Sequence, residues 1–211
     1  TQGNFTPAQS QRVNHPRIIS IEGPIGAGKT SLARLLADHF QGEIILEKPE
    51  ENPFLPGFYR QPGGELATEL QFLLQRQAQW QTAALTNAYI ISDYSARKDE
   101  IFTPLTLNAA EFQLFQQIKM QLHYQATPAA LLIFLDAPLA TLKERILSRA
   151  RAYEQNLNAD YLAKVQQAYR HWRSNYTAPC LEINTAELDF VHEERHNENL
   201  IKMVKYHLQD I

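Results

Sequence analysis

The glycine-rich stretch at residues 23–30, Gly-Pro-Ile-Gly-Ala-Gly-Lys-Thr, carries the most specific chemical pattern in the chain. Its glycines permit positive φ angles, so successive backbone N–H groups can point toward phosphate oxygens. Lys29 would reach the outer phosphates and Thr30 a magnesium ion. The pattern predicts a site for ATP with magnesium. The loop residues expected to bind the nucleotide are Gly23, Gly26, Ala27, Gly28, Lys29, Thr30 and Ser31.

A second magnesium ligand is expected at the end of a neighbouring strand, because this ion prefers carboxylate oxygens. Asp93 follows the apolar run 89–91 and is the favoured candidate. Asp136, which follows the run 131–135, is the rival candidate. Its alternative role is to cap the helix that starts after Pro138. No Asn-Lys-x-Asp stretch occurs in the chain, so a GTPase is not expected.

An acidic stretch at residues 47–51 suggests a catalytic base. Phosphoryl transfer depends mainly on positioning and charge stabilisation, and a carboxylate near the acceptor hydroxyl can orient it and accept its proton. Glu47 lies nearest to the end of the predicted second strand and is therefore the candidate. The alternative is a solvated acidic loop, which applies more strongly to Glu50 and Glu51.

Arginines cluster after the predicted fourth strand, at Arg145, Arg149 and Arg151. Residues 145 and 149 share one helical face, so their guanidinium groups could close over phosphates and neutralise the transferring group. This pattern predicts a lid around residues 145–156. The alternative is a basic, solvated helix whose arginines pair with acids such as Glu144.

These residues must be positioned by an alternation of strands and helices. Strands are predicted at 17–21, 43–46, 88–91, 131–135 and 180–183. Helices are predicted directly after the glycine loop, at about 65–86, around 139–146, at 162–172 and at 193–210. Strands that are apolar throughout favour a five-stranded parallel sheet covered by helices on both faces. We therefore predict an α/β three-layer sandwich of the phosphate-loop kinase type, with ligands at the carboxyl ends of the strands.

Composition narrows the functional classes. The 20 Lys and Arg against 23 Asp and Glu give a net charge of −3, which provides no general attraction to nucleic acid or membranes. Cys180 is the single cysteine and no apolar run is long enough to cross a bilayer, so a cytoplasmic location is expected. Residues 1–15 are polar and begin without methionine, as in a processed end. We expect them to form a disordered tail before one domain at 16–211.

Taken together, the motifs resemble the deoxynucleoside kinase family, closest to its bacterial deoxyadenosine and deoxyguanosine kinase branch, from about residue 17 to residue 190. The family's Glu-Gly-x-Ile-Gly-x-Gly-Lys-Ser/Thr loop is matched at 22–30, and its Glu-Pro-type motif leading to Asn-Pro-aromatic-Leu at 47–55. The resemblance implies that Glu47 activates the 5′-hydroxyl of the sugar. It also implies a homodimer.

The same resemblance assigns further residues. Tyr59 matches a tyrosine that contacts the sugar 3′-hydroxyl. Arg149, Arg151 and Glu154 match the lid pattern Arg-x-Arg-x-x-Glu, whose glutamate also holds the 3′-hydroxyl. Residues 184–190, with Asp189 and Phe190 near their end, resemble the loop around the ATP adenine.

Two positions depart from the family pattern. An acidic residue, arginine and Ser or Thr usually follow the third strand, and the arginine contacts the catalytic carboxylate and phosphate; here the residues are Asp93, Tyr94 and Ser95. The family's base-reading glutamine lies seven residues before an arginine, and counting back from Arg76 gives Glu69.

Glu69 and Arg76 lie on one helical face with Phe72 between them. This spacing predicts a charged and aromatic pocket for the acceptor. The alternative is an ordinary pair of charges on the surface.

The function predicted from these patterns is a kinase that transfers phosphate from ATP to the 5′-hydroxyl of a purine deoxynucleoside, a small-molecule acceptor, with no nucleic acid polymer and no membrane as partner. One alternative is a divergent kinase for another small hydroxyl- or phosphate-bearing metabolite. The other is a module that binds ATP without turnover, which the missing arginine would favour.

Overall fold

The structure is a computed structural model that describes residues 17–83, 88–124, 127–154, 156–188, 190 and 193–209. The expected tail at 1–15 lies outside these described residues. In chain order the elements are β1 (Arg17–Glu22), α1 (Lys29–Phe40), β2 (Glu43–Ile45), α2 (Leu55–Phe58), α3 (Glu65–Thr82), β3 (Tyr89–Ser92), α4 (Asp99–Thr106), α5 (Ala109–Gln121), β4 (Leu131–Asp136), α6 (Leu139–Arg149), α7 (Ala159–Ser174), β5 (Cys180–Asn184) and α8 (Glu194–Gln209), with 3₁₀ turns at Pro49–Glu51 and Ala152–Glu154.

The five strands form one parallel sheet in the order β2-β3-β1-β4-β5, which confirms the predicted fold class. Strand β1 lies in the centre, with Ser20 opposite Ser92 of β3 and Glu22 opposite Phe134 of β4. Because all strands run the same way, their carboxyl ends meet at one edge of the sheet. The residues that follow β1, β2 and β3 are therefore neighbours in space.

Strand β4 shows why continuous apolar runs predicted this sheet. Leu131, Ile133 and Leu135 pack into one buried cluster, which includes Leu36 of α1 and Val204 of α8. The intervening residues pack into a second cluster on the other face, with α4 and α7; they are Leu132 and Phe134. Both faces are covered, so every position of the strand is apolar.

The helices differ from the sequence expectation in three places. Helices α2, α4 and α5 were not predicted. Helix α4 is short and contains Pro104, so its apolar periodicity is weak. Helix α5 did carry a signal that was missed, a capping box between Asn108 and Glu111.

The long helix α3 ends at Thr82, before the predicted limit at 86, and residues 84–87 lie outside the described part of the chain. The predicted surface helix at 193–210 is α8, which buries Leu200, Val204 and Leu208. Across the described ranges, no helix has the length and apolar content needed to span a bilayer.

Candidate active site

The phosphate loop connects β1 to α1, and its glycines are required by close contacts. Gly23 has φ +150°, and a Cβ there would lie 2.2 Å from the carbonyl oxygen of Leu135. Gly28 has φ +99°, and a Cβ there would lie 2.7 Å from Cζ of Phe190. Any other residue would clash at both positions. Phe190, predicted to lie near the adenine, thus packs directly against the loop and is buried.

Lys29 and Thr30 begin helix α1. The Lys29 ammonium donates to the carbonyl oxygens of Gly23 at 2.6 Å and Pro24 at 3.1 Å. The Thr30 hydroxyl donates to Asp93 Oδ2 at 2.6 Å. Asp93 follows β3, the strand beside β1, so the parallel sheet itself brings these two side chains together.

Thr30 and Asp93 supply hydroxyl and carboxylate oxygens, the ligand chemistry that magnesium prefers, at the mouth of the phosphate loop. The second Asp93 oxygen accepts the backbone N–H of Glu47 at 2.7 Å. Burial raises the pKa of Asp93, against the two hydrogen bonds. Thr30 and Asp93 therefore fit a magnesium ion whose other ligands come from the phosphates. Among the described residues, no three His, Cys, Asp or Glu side chains come together to hold a metal ion by themselves.

Asp136, the other candidate for the magnesium ligand, binds protein groups away from the phosphate loop. It accepts hydrogen bonds from the N–H of Ala137 at 2.9 Å, from Gln166 at 2.8 Å and from Arg170 at 2.7 Å. It does not line the cavity above the phosphate loop. Its contacts join β4 to α7 and leave the start of α6 without a side-chain cap, so the predicted capping role is wrong.

Glu47 is held by two buried cations. Arg76 Nη1 lies 3.0 Å from one carboxylate oxygen and Lys98 Nζ lies 2.5 Å from the other. Burial by itself would raise the pKa of Glu47, but Lys98 and Arg76 outweigh it and hold the pKa below the usual value for glutamate. Glu47 is thus kept ionised, as a proton acceptor must be. The solvated-loop alternative is wrong for Glu47.

Lys98 was not predicted from the sequence. The family pattern has an arginine at position 94, but this chain has Tyr94 there. Tyr94 is fully buried, and its hydroxyl donates a hydrogen bond to Gln79 at 2.7 Å. Lys98 lies just before α4, is 6% exposed and supplies a cation to the same carboxylate. The available signal was the pair of basic residues Arg97 and Lys98, which follow closely after the position where the family pattern has its cation.

Glu22, at the end of β1, is a second functional-site candidate that was not singled out. It is fully buried and accepts hydrogen bonds from the N–H of Ser95 at 2.7 Å and the hydroxyl of Tyr169 at 3.0 Å. Burial raises its pKa, against the attraction of Lys98 and Lys29. Burial and the like charge of Lys98 lower the pKa of Lys29 to about 8. An anionic ligand beside Lys29 would reverse that effect.

One cavity of about 530 Å³ joins the phosphate loop to the predicted acceptor residues. The predicted site residues that line it are Gly26, Gly28, Lys29, Thr30, Ser31, Glu47, Tyr59, Glu69, Phe72, Arg76, Asp93, Arg149, Arg151 and Glu154. Glu69 and Arg76 are only 4% and 2% exposed. The alternative of an ordinary surface pair is therefore wrong.

The side chains of the predicted lid form hydrogen bonds with one another. Arg149 pairs with Glu154 through Nε at 2.8 Å and Nη2 at 2.5 Å, and Arg151 donates to the hydroxyl of Tyr153 at 2.8 Å. Arg145 departs from its prediction and does not line the cavity. Its guanidinium binds Thr185 at 2.8 Å and 2.6 Å, because α6 packs beside the end of β5.

Two other predictions concern the ends of the cavity. The ring of Tyr59 packs against Phe58 and Tyr161, with centroids 5.3 Å and 6.0 Å apart. These three aromatic side chains line the cavity together with the predicted acceptor residues Glu69 and Phe72. Asp189, predicted near the adenine, lies outside the described residues.

Known proteins match this chain over most of its length. The family model for deoxynucleoside kinase matches residues 19–209. A deoxyadenosine kinase from Lactobacillus acidophilus is 28% identical, over 92% of this chain and 98% of that protein. A deoxyguanosine kinase from Bacillus subtilis is 32% identical, over 74% of this chain and 78% of that protein.

A solved structure of a similar protein has the same fold. A solved deoxyadenosine kinase from M. mycoides superimposes with a TM-score of 0.76 at 21% identity, covering 90% of this chain and 98% of that chain. This likeness establishes the architecture. The family model matches residues 19–209 and one relative is 32% identical, so the chain belongs to the deoxynucleoside kinase family.

Proposed function

We propose that the protein transfers the γ-phosphate of ATP, with magnesium, to the 5′-hydroxyl of a purine deoxynucleoside. The observation that carries this proposal is the placement of Glu47. Its carboxylate is kept ionised by Lys98 and Arg76 and lies in the same cavity as Lys29 and Thr30. A proton acceptor and a phosphate cradle in one cavity are the two parts that transfer to a hydroxyl requires.

On the donor side, the N–H groups of the loop and the ammonium of Lys29 would bind the phosphates. Thr30 and Asp93 would hold magnesium, which neutralises charge on the β- and γ-phosphates when bound. Arg149 and Arg151 line the cavity from the lid and would stabilise the charge on the transferring group. Arg149 would exchange part of its pairing with Glu154 for phosphate contacts.

On the acceptor side, Glu47 would orient the 5′-hydroxyl and accept its proton. Tyr59 and Glu154 would hold the 3′-hydroxyl. Glu69, Phe72 and Arg76 would contact the base, and the aromatic ring of Phe72 offers a face for stacking. A purine is supported by the relatives, which are named as deoxyadenosine and deoxyguanosine kinases.

The two alternatives keep less support. A non-catalytic module was favoured by the missing arginine at position 94, but Lys98 supplies a cation to Glu47. A kinase for another small metabolite would require the acceptor cavity to bind a molecule other than a nucleoside. The homodimer and the cytoplasmic location remain predictions.

The test is an acceptor panel. ADP release is measured with ATP, magnesium and a set of deoxynucleosides, ribonucleosides, nucleotides and small alcohols. Release with deoxyadenosine or deoxyguanosine, and a 5′-monophosphate product identified by mass, is the expected result. Release only with other acceptors would favour the metabolite kinase. Tight ATP binding without release for any acceptor would favour the non-catalytic module.

A further inference from the structure

Glu69 presents an unusual group to the acceptor cavity. It lies on α3, is 4% exposed and lines the cavity. Its Oε1 accepts a hydrogen bond from the hydroxyl of Thr106 at 3.1 Å. Among the residues that the structure describes, Oε2 has no hydrogen-bond partner. A carboxylate has about four acceptor sites, so most of its capacity is left for a ligand.

Arg76, two turns further along α3, places a positive charge close to Glu69. Its Nη1 is fixed by Glu47 at 3.0 Å. Its Nε and Nη2 are fully buried and make no hydrogen bond within the described part of the chain. Because these two nitrogens are closed off from the cavity, the group left to contact a base there is the carboxylate of Glu69.

The two purine bases differ at these positions. Guanine has acceptors at O6 and N7 and donors at N1–H and N2–H₂. Adenine shares the N7 acceptor, but it has a donor at N6–H₂ in place of O6 and an acceptor at N1 in place of N1–H. An ionised carboxylate only accepts hydrogen bonds and a guanidinium only donates them. A neutral amide both accepts and donates, so a glutamine can serve either base.

Building on the proposed function, we infer that the acceptor cavity selects guanine over adenine, with Glu69 accepting from N1–H and N2–H₂ of guanine. Adenine in the same position would turn the lone pair of its N1 toward the carboxylate. That contact leaves a buried polar group without a partner, which is the kind of mismatch that discriminates strongly between substrates.

The protonation state of Glu69 adds an expected pH dependence to the preference for guanine. Burial raises its pKa to about 7, against Arg76 and the hydrogen bond from Thr106. A protonated Glu69 would offer one donor and one acceptor, which suits adenine. The titratable and charged groups that face Glu69 are Arg76 on its own helix, Glu47 after β2, Tyr59 after α2, Asp99 on α4 and Tyr161 on α7. The preference for guanine is therefore expected to grow as the pH rises through 7.

The experiment compares kcat/KM for deoxyguanosine, deoxyinosine and deoxyadenosine. The wild-type protein should prefer deoxyguanosine, and deoxyinosine should fall between the two because it lacks the N2 amino group. Glu69→Gln should lower the ratio of deoxyguanosine to deoxyadenosine by roughly 10- to 100-fold. Glu65→Gln is the matched control, because Glu65 lies on the same helix, accepts from the N–H of Gly63 and does not line the cavity. It should leave the ratio unchanged.

Each outcome decides a different point. If the wild-type protein phosphorylates no nucleoside, the proposed function fails and the inference fails with it. If it phosphorylates both purines with deoxyadenosine equal or better, the function stands and guanine selection is overturned. If Glu69→Gln does not fold, the wild-type kcat/KM values for the three purines decide. A decrease in the order deoxyguanosine, deoxyinosine, deoxyadenosine supports the inference, and any other order overturns it.

Discussion

Lys98 Nζ lies 2.5 Å from Glu47 Oε2, although the two residues are 51 positions apart in the chain. Arg76 holds the other oxygen of the same carboxylate. The family pattern places its cation directly after the third strand, and here Tyr94 occupies that position and packs into the core. The positive charge has thus moved to the start of α4 and still reaches the carboxylate. Each of the two carboxylate oxygens of Glu47 therefore has a buried cation as its partner.

Replacing Lys98 with methionine should slow phosphoryl transfer. The substitution keeps the length of the side chain and removes its charge, so burial is less opposed and the pKa of Glu47 rises. We expect kcat to fall about 100-fold. The acid limb of the pH profile of kcat should also move to higher pH, since Glu47 must lose its proton to act. Lys98→Arg should recover part of the rate.

The matched control is Lys202→Met on the exposed surface of α8, which removes the same charge far from the cavity. Thermal unfolding of each variant separates lost folding from lost catalysis. An unshifted acid limb in a folded Lys98→Met protein would mean that Lys98 does not act through Glu47.

Substituting Glu47→Gln should remove the proton acceptor and leave the shape of the site. We expect kcat to fall by about 100-fold or more, with ATP affinity close to that of the wild type. Steady-state kinetics and ATP titration by calorimetry measure the two quantities. Unchanged turnover would exclude Glu47 as the base.

Asp93→Asn should raise the magnesium concentration that gives half-maximal activity by roughly 10-fold or more. The amide keeps the contact with Thr30 but loses the negative charge that attracts the cation. Asp136→Asn is the paired variant, because this carboxylate was the sequence-based rival and binds Arg170 instead. Magnesium titrations of kcat for both variants should differ. A requirement that shifts in Asp136→Asn alone would reverse the assignment.

Glu69 should make the free protein less stable as the pH rises. The pKa of this group is raised from 4.5 to about 7 in the folded protein, so its favourable contribution is complete below about pH 4.5 and is lost as the pH passes 7. The difference in unfolding free energy between wild type and Glu69→Gln should therefore change by roughly 3 kcal/mol across this window. Urea unfolding from pH 4.5 to 8.5 measures it. A constant difference would show that the folded pKa is not raised.

Much of the fold was predictable because its signals are local. The apolar runs of the strands and the helical spacing of Leu32, Leu35 and Leu36 repeat within a few residues. They predicted all five strands of the sheet, with ends shifted by at most one residue. Helix α4 was missed because eight residues that include Pro104 carry too little periodicity.

The features of the candidate site also divide into those that local sequence determines and those that tertiary packing determines. Sequence alone determined the phosphate loop, Glu47 as the candidate base and the identity of Glu69, because each is a residue type at a fixed spacing from a motif. Tertiary structure alone decided that Lys98 reaches Glu47, that Arg145 binds Thr185, and that Glu69 and Arg76 are buried together. The first two contacts join side chains from separate elements, and the burial of Glu69 and Arg76 on α3 requires neighbouring elements to cover that helix. All three depend on how α3, α4 and α6 pack on the sheet. No spacing along the chain encodes that packing.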